Sequence, residues 1–226
     1  MKPHFSNQRN HALTLVEVLV VIAVFAVLAA MFLPAIVSTG HSGRQRINCV
    51  NNLKEIGLAY RLWAGDNNDK YPMFVSVTNG GAMELIATGN VAACFQVMSN
   101  ELSTPKILHC PEDTEHIATN SFAVLTNSNI SYFVGVDARE TDPQAFLSGD
   151  DNFATDDIPV KSGLVQFTTN ANVTWASGRH VLYNAHFWTP ANDKFWGNIG
   201  LADGSVQQLT TGGLQKSLQQ TGLAIP

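Results

Sequence analysis

Charge is scarce in this chain: charged side chains make up 14% of its 226 residues, and the formal net charge is −5. No basic cluster exceeds the pair Arg44 and Arg46, so there is no face fit to neutralise phosphates, which argues against a nucleic-acid partner. Cysteine is also sparse. Cys49, Cys94 and Cys110 show neither C-x-x-C spacing nor a zinc-like histidine pattern, which argues against a metal cluster. Also missing are G-x-S-x-G, H-E-x-x-H, Walker and G-x-G-x-x-G motifs. The expectation is therefore a chain that is not an enzyme, with no catalytic and no cofactor-binding residues. His180 and His186, on either side of VLYNA, read as hydrogen-bonded strand or loop histidines. Trp175, Trp188 and Trp196, with Phe187 and Phe195, read as cross-strand packing in preference to a sugar platform. Internal repeats and a low-complexity tail are absent.

Apolar residues are abundant in one place. From Val18 to Val37 twenty successive residues lack a polar side chain, and as a helix they would span roughly 30 Å, the hydrocarbon thickness of a bilayer. A secretory signal peptide, with Lys2 and Arg9 as its basic leader and AVLAA near its cleavage site, is the rival reading, but its apolar core would be about 7–15 residues. Flanking positive charges tie, so they do not set an orientation. Glu17, at the leading edge of the run, is the anomaly, because a carboxylate at mid-membrane costs about 2.5–3.5 kcal/mol. It either sits at the interface or has a partner. Cleavage between Ala12 and Leu13 would create an α-amino cation one helical turn away, which between neighbouring chains would pair with Glu17 and fix their register.

ALTLVEVLVVIAVFAVLAAMFLPA resembles the prepilin-type cleavage and methylation motif of type IV pilins and type II secretion pseudopilins. There a short basic leader precedes a small residue, a hydrophobic residue, Thr-Leu, and a Glu at the fifth mature position. Ala12, Leu13, Thr14, Leu15 and Glu17 occupy those places, with Ala12 for the usual Gly and Leu13 for the usual Phe, and Pro34 falls where proline is frequent. The resemblance implies cleavage after Ala12 by a prepilin peptidase and methylation of Leu13. It further implies a single-pass inner-membrane subunit, amino terminus cytoplasmic and head in the periplasm, that later joins other pilin-like subunits in a homopolymeric or mixed fibre. Leu13, Glu17 and Pro34 are the implied assembly residues.

Beyond the run, Pro34 should bend or stop the helix, and STGHSG is a poor helix sequence. Ile47, Val50, Leu53, Gly57, Tyr60 and Trp63 then share one face of an amphipathic helix over 44–64, with Gly65 ending it and DNNDKYP as the exit turn. INCVNNLKEIGLAYRLWAGDNNDKYP, Cys110-Pro111-Glu112-Asp113 and the closing Ala202-Asp203-Gly204-Ser205-Val206 resemble successive parts of a pseudopilin-like subgroup. Strands are expected at MFVSV, ILHC, FAVLT, ISYFVGVDA, GLVQF, VLYNAHFW and NIGLADGSVQQL, the last with a two-residue Asp-Gly turn, and short helices within 84–102 and near the C-terminus.

The fold class expected is α+β and pilin-like: a long N-terminal hydrophobic helix with a Pro kink, its second half packed on an antiparallel β-sheet head. The expected divisions are a leader at 1–12, an N-terminal helix at 13–64 (membrane anchor 13–37, amphipathic half 44–64) and an exported head at 65–226. In SGDDNFATDDIP, Asp150, Asp151, Asp156 and Asp157 are weak calcium candidates by analogy with pseudopilin loops. Three cysteine pairings are open in the sequence; the matched segments favour Cys49 with Cys110. The resulting reading is a structural pilin-type subunit. Its alternatives are a membrane-anchored exported ligand- or glycan-binding protein that does not polymerise, and an exported enzyme freed by an ordinary signal peptidase.

Overall fold

The computed structural model describes residues 14–37, 40–156, 158–160, 172–176, 179–181 and 195–221, with side chains described at these positions except 30–37, 40–46, 181 and 221. The chain divides into two compact units, Met1–Gly43 and Arg44–Pro226. In the first, α1 (Leu15–Val37) continues through Pro34. Its described apolar side chains, Leu15 to Leu28, are exposed all round. The crossing expected of Val18–Val37 extends past those side chains, and among the described residues no helix is long and apolar enough to cross a membrane.

Helix α2 (Gly40–Asp66) starts four residues before the expected Arg44. Adding Gly and Ser to a long helix needs no new nucleus, so their poor propensity is tolerated. Its buried face carries Cys49, Leu53, Ile56, Ala59, Tyr60, Trp63 and Ala64, whereas Ile47, expected there, is 61% exposed. Gly65 stays helical. The exit is made by Asn68 and Asp69, both at positive φ, with the Asp69 amide donating to the Ala64 carbonyl.

Short helices α3 (Met83–Ile86), α4 (Val91–Val97) and α5 (Ser99–Leu102) follow, as expected of 84–102. The strands expected at MFVSV, ILHC and FAVLT are instead 3₁₀ turns, Pro72–Phe74, Val77–Asn79, Pro105–Leu108 and Phe122–Val124. Proline opens two of them, and Ser76, Thr104 and Ser121 side chains accept from backbone amides two residues on. Such local bonds compete with a sheet ladder.

The main sheet is antiparallel. β1 (Tyr132–Val134) pairs with β2 (Phe146–Asp150), which pairs with the C-terminal half of β7 (Phe195–Leu201). β6 (His180–Val181) takes the same edge of β7 further along, at Trp196 and Phe195, and β8 (Val206–Thr210) lines the other edge. A second sheet joins β3 (Phe153–Thr155) to β4 (Ile158–Pro159) and to β5 (Val173–Trp175). GLVQF and most of VLYNAHFW lie outside the described residues.

Both sheet faces are buried with the period of two that strands impose. Tyr132, Val134 and Leu147 face the core shared with α2, while Phe133, Phe146, Ile199 and Leu201 face one shared with Trp175 and α6 (Thr211–Thr221). The result is α+β, with the second half of the helical region laid on an antiparallel sheet. The closing hairpin differs in one detail from the expected two-residue turn. The Gly204 amide donates to Leu201 O and the Leu201 amide to Ser205 O, with Gly204 at φ 84°, so the loop is three residues long. A single left-handed position suffices there, and Asp203 Oδ1 accepts the Ser205 amide.

Candidate functional site

Two places carry chemistry. At the start of α1, Glu17 Oε2 accepts from both the amide and the hydroxyl of Thr14 at 2.7 Å, and Thr14 Oγ1 accepts the Glu17 amide at 3.3 Å. This reciprocal pattern satisfies donors that a helix start leaves bare, a capping box. Ala12 and Leu13 lie outside the described residues, as does the side chain of Pro34, whose backbone is within α1.

The second place is a polar network inside the head, where three distant segments meet: 112–116 shortly after Cys110, 150–151 at the end of β2, and 179–180 at the start of β6. Arg179 Nη1 donates to Ser131 O at 2.7 Å and to Asp151 Oδ1 at 2.6 Å, while Nη2 donates to Asp113 Oδ2. His116 Nδ1 reaches Asp113 Oδ2 at 2.7 Å, and its Nε2 faces Asp151 Oδ2 at 3.6 Å. His180 lies between two carboxylates, Glu112 Oε2 at 2.6 Å from Nδ1 and Asp150 Oδ2 at 3.1 Å from Nε2.

The position of Asp150 follows from the sheet. β2 leaves β7 at Ile199 and β6 joins at Trp196, so among the described residues the edge of β7 lacks a strand partner between them. There Asp150 Oδ2 accepts from the Asn198 amide at 2.7 Å and from Asn198 Nδ2 at 2.9 Å. A side chain thus replaces the missing carbonyl. Asp150 Oδ1 is buried and finds no partner among the described residues.

Electrostatics hold the charges in place. Burial opposes a charge on His180, but the hydrogen bond to Asp150 and the charges of Asp150 and Glu112 outweigh it and raise its pKa. The bond to Asp113 raises that of His116. For Asp113, burial alone would favour protonation, yet His116 and Arg179 keep its carboxyl well below the usual range. Burial prevails at Asp151, whose pKa is raised despite Arg179. At Arg179 the carboxylates of Asp151, Asp150 and Asp113 outweigh burial, so it stays charged.

Cys49 and Cys110 form a disulfide, with Cα atoms 5.1 Å apart, beneath this network, and Cys94 is a buried free thiol. Of the calcium candidates, Asp150 and Asp151 turn to different partners, Asp156 is exposed in a turn at φ 51°, and Asp157 lies outside the described residues. His186, Phe187 and Trp188 also lie outside them. Trp175 is buried and stacked on Phe153 at 5.0 Å, so it packs the core. Sequence reasoning missed Arg179, His116 and the role of His180. Their sequence signal is slight, an Arg-His pair far from the acidic Glu112-Asp113 that it meets.

Residues 7–33 match the family model described as the prokaryotic N-terminal methylation motif. The chain carries a prepilin-type methylation motif. The prepilin-type motif encloses Thr14 and Glu17, so the capped start of α1 lies inside it. Such a motif supports processing by a prepilin peptidase. No curated protein and no solved structure matches the chain.

Proposed function

We propose that the chain is a structural subunit of a type II secretion or type IV pilus type fibre, cut after Ala12 and methylated on Leu13. Before assembly α1 anchors it in the inner membrane, amino terminus in the cytoplasm and head outside. The apolar run from Val18 to Val37 supports that anchor, as do the uncovered side chains of α1. In the fibre, Glu17 of one subunit meets the Leu13 amine of the next, a charge pair whose best-attested use is to set register. The match over residues 7–33 is the observation that carries this reading.

The test is expression of the full chain beside a prepilin peptidase and its assembly machine. Loss of the residues through Ala12 and entry into a sheared fibre fraction is expected. A full-length chain that stays in the membrane fraction overturns the proposal and favours the anchored binding protein.

A further inference from the structure

The Cys49–Cys110 disulfide sits in a set of side chains that a disulfide alone does not require. Cys49 Sγ, Cys110 Sγ and His180 Nε2 all lie within 4.8 Å of one another and all three residues are buried. His180 Nε2 is 3.9 Å from Cys110 Sγ and 3.1 Å from Asp150 Oδ2. Ligand atoms around one tetrahedral zinc are about 3.3–3.8 Å apart, so these spacings bracket those of a single bound ion. Around them stand the supporting bonds that such sites use: Glu112 holds His180 Nδ1, so that Nε2 turns toward the sulfurs, Asp150 Oδ2 and Asn198 Nδ2, and Asn198 fixes Asp150. Asp150 is 0% exposed, and its Oδ1 is a buried carboxylate oxygen with no partner among the described residues.

We infer that, when its disulfide is reduced, the head binds a divalent zinc-class ion through Cys49, Cys110 and His180, with the buried Asp150 carboxylate beside the imidazole to balance charge. The two states exclude each other, because each sulfur is either in the S–S bond or on the metal. With a phosphine reductant, two electrons pass to the disulfide, the phosphine takes oxygen from one water to become its oxide, and two thiols form. The ion then displaces both thiol protons and, where His180 is protonated, the proton on its Nε2, all of which pass to solvent. Cys94, whose thiol lies 3.3 Å from the Tyr60 hydroxyl, is not a ligand.

The full chain in detergent, reduced by the phosphine, is titrated with Co²⁺ as the spectroscopic probe. One equivalent should bind with a thiolate-to-cobalt charge-transfer band and tetrahedral d–d bands. Cys94→Ser should keep both, and the oxidised chain should show neither. Glu112→Gln should weaken binding by about 10–100-fold, the usual effect of losing a supporting bond, and His180→Gln by more. If the reduced chain unfolds, Co²⁺ should refold it, read by far-UV circular dichroism. A reduced chain with neither thiolate band nor refolding overturns the inference, as does unchanged affinity in His180→Gln.

Discussion

At Glu17 the carboxylate accepts two bonds from Thr14, and glutamine can serve in the same capping box. The substitution Glu17→Gln therefore keeps the cap while removing the charge. The expected outcome is unchanged membrane insertion and cleavage with loss of fibre incorporation, read by quantifying sheared fibres. Normal incorporation would show that capping, and not charge pairing, explains the residue. Arg179 is the corresponding test in the head. Arg179→Met leaves Asp113 and Asp151 close together without their cation and should destabilise the head by about 3–5 kcal/mol, measured by denaturant titration. Glu17 stood out in the sequence because a lone carboxylate breaks a long apolar run. Arg179 did not, because its partners lie 66 and 28 residues away and only the sheet brings them together.

Among the elements, β7 passes so close to Trp175 that a Cβ on Gly197 would fall 2.2 Å from its ring. Gly197→Ala should cost about 1–3 kcal/mol through overpacking, seen as a lower denaturation midpoint at unchanged m-value. The disulfide joins α2 to the end of the Pro105–Leu108 turn across 61 residues. Replacing both cysteines by Ala should lower stability by about 4 kcal/mol on the chain-entropy estimate. Elements were legible where one periodicity governed. Helix α2 showed its face from Leu53 onward, and the β7–β8 hairpin showed its Asp-Gly. They were illegible where side chains competed with the ladder, as at Ser76, Thr104 and Ser121. Strand β2, FLSGD, is not among the expected strands, and its Gly149 is needed because Phe133, Asn198 and Ile199 leave no space for a Cβ.

For the whole molecule, the network makes stability depend on pH with a definite sign. His116 and His180 have raised pKa values, so their contribution is complete below the unfolded value of about 6.5 and is lost as pH rises through the folded values. Asp151, also raised, acts in the same direction from about pH 3.9 upward. Asp113, lowered, contributes above about 3.9 and loses its part as pH falls toward its folded value. Denaturant midpoints of the folded head should therefore decline from mildly acidic toward alkaline pH, and His116→Gln with His180→Gln should flatten that decline. The α+β class and the processing motif could be read in the chain because each rests on a local pattern. The polar lock could not, because it is built by the fold.

The central claim is that the Glu17 carboxylate is retained for the amine that cleavage creates. Intact-mass and N-terminal peptide mass spectrometry of the native protein tests it most directly. A mature chain that begins with N-methylated Leu13 is the result expected; one that still begins at Met1, or begins near residue 31, contradicts it.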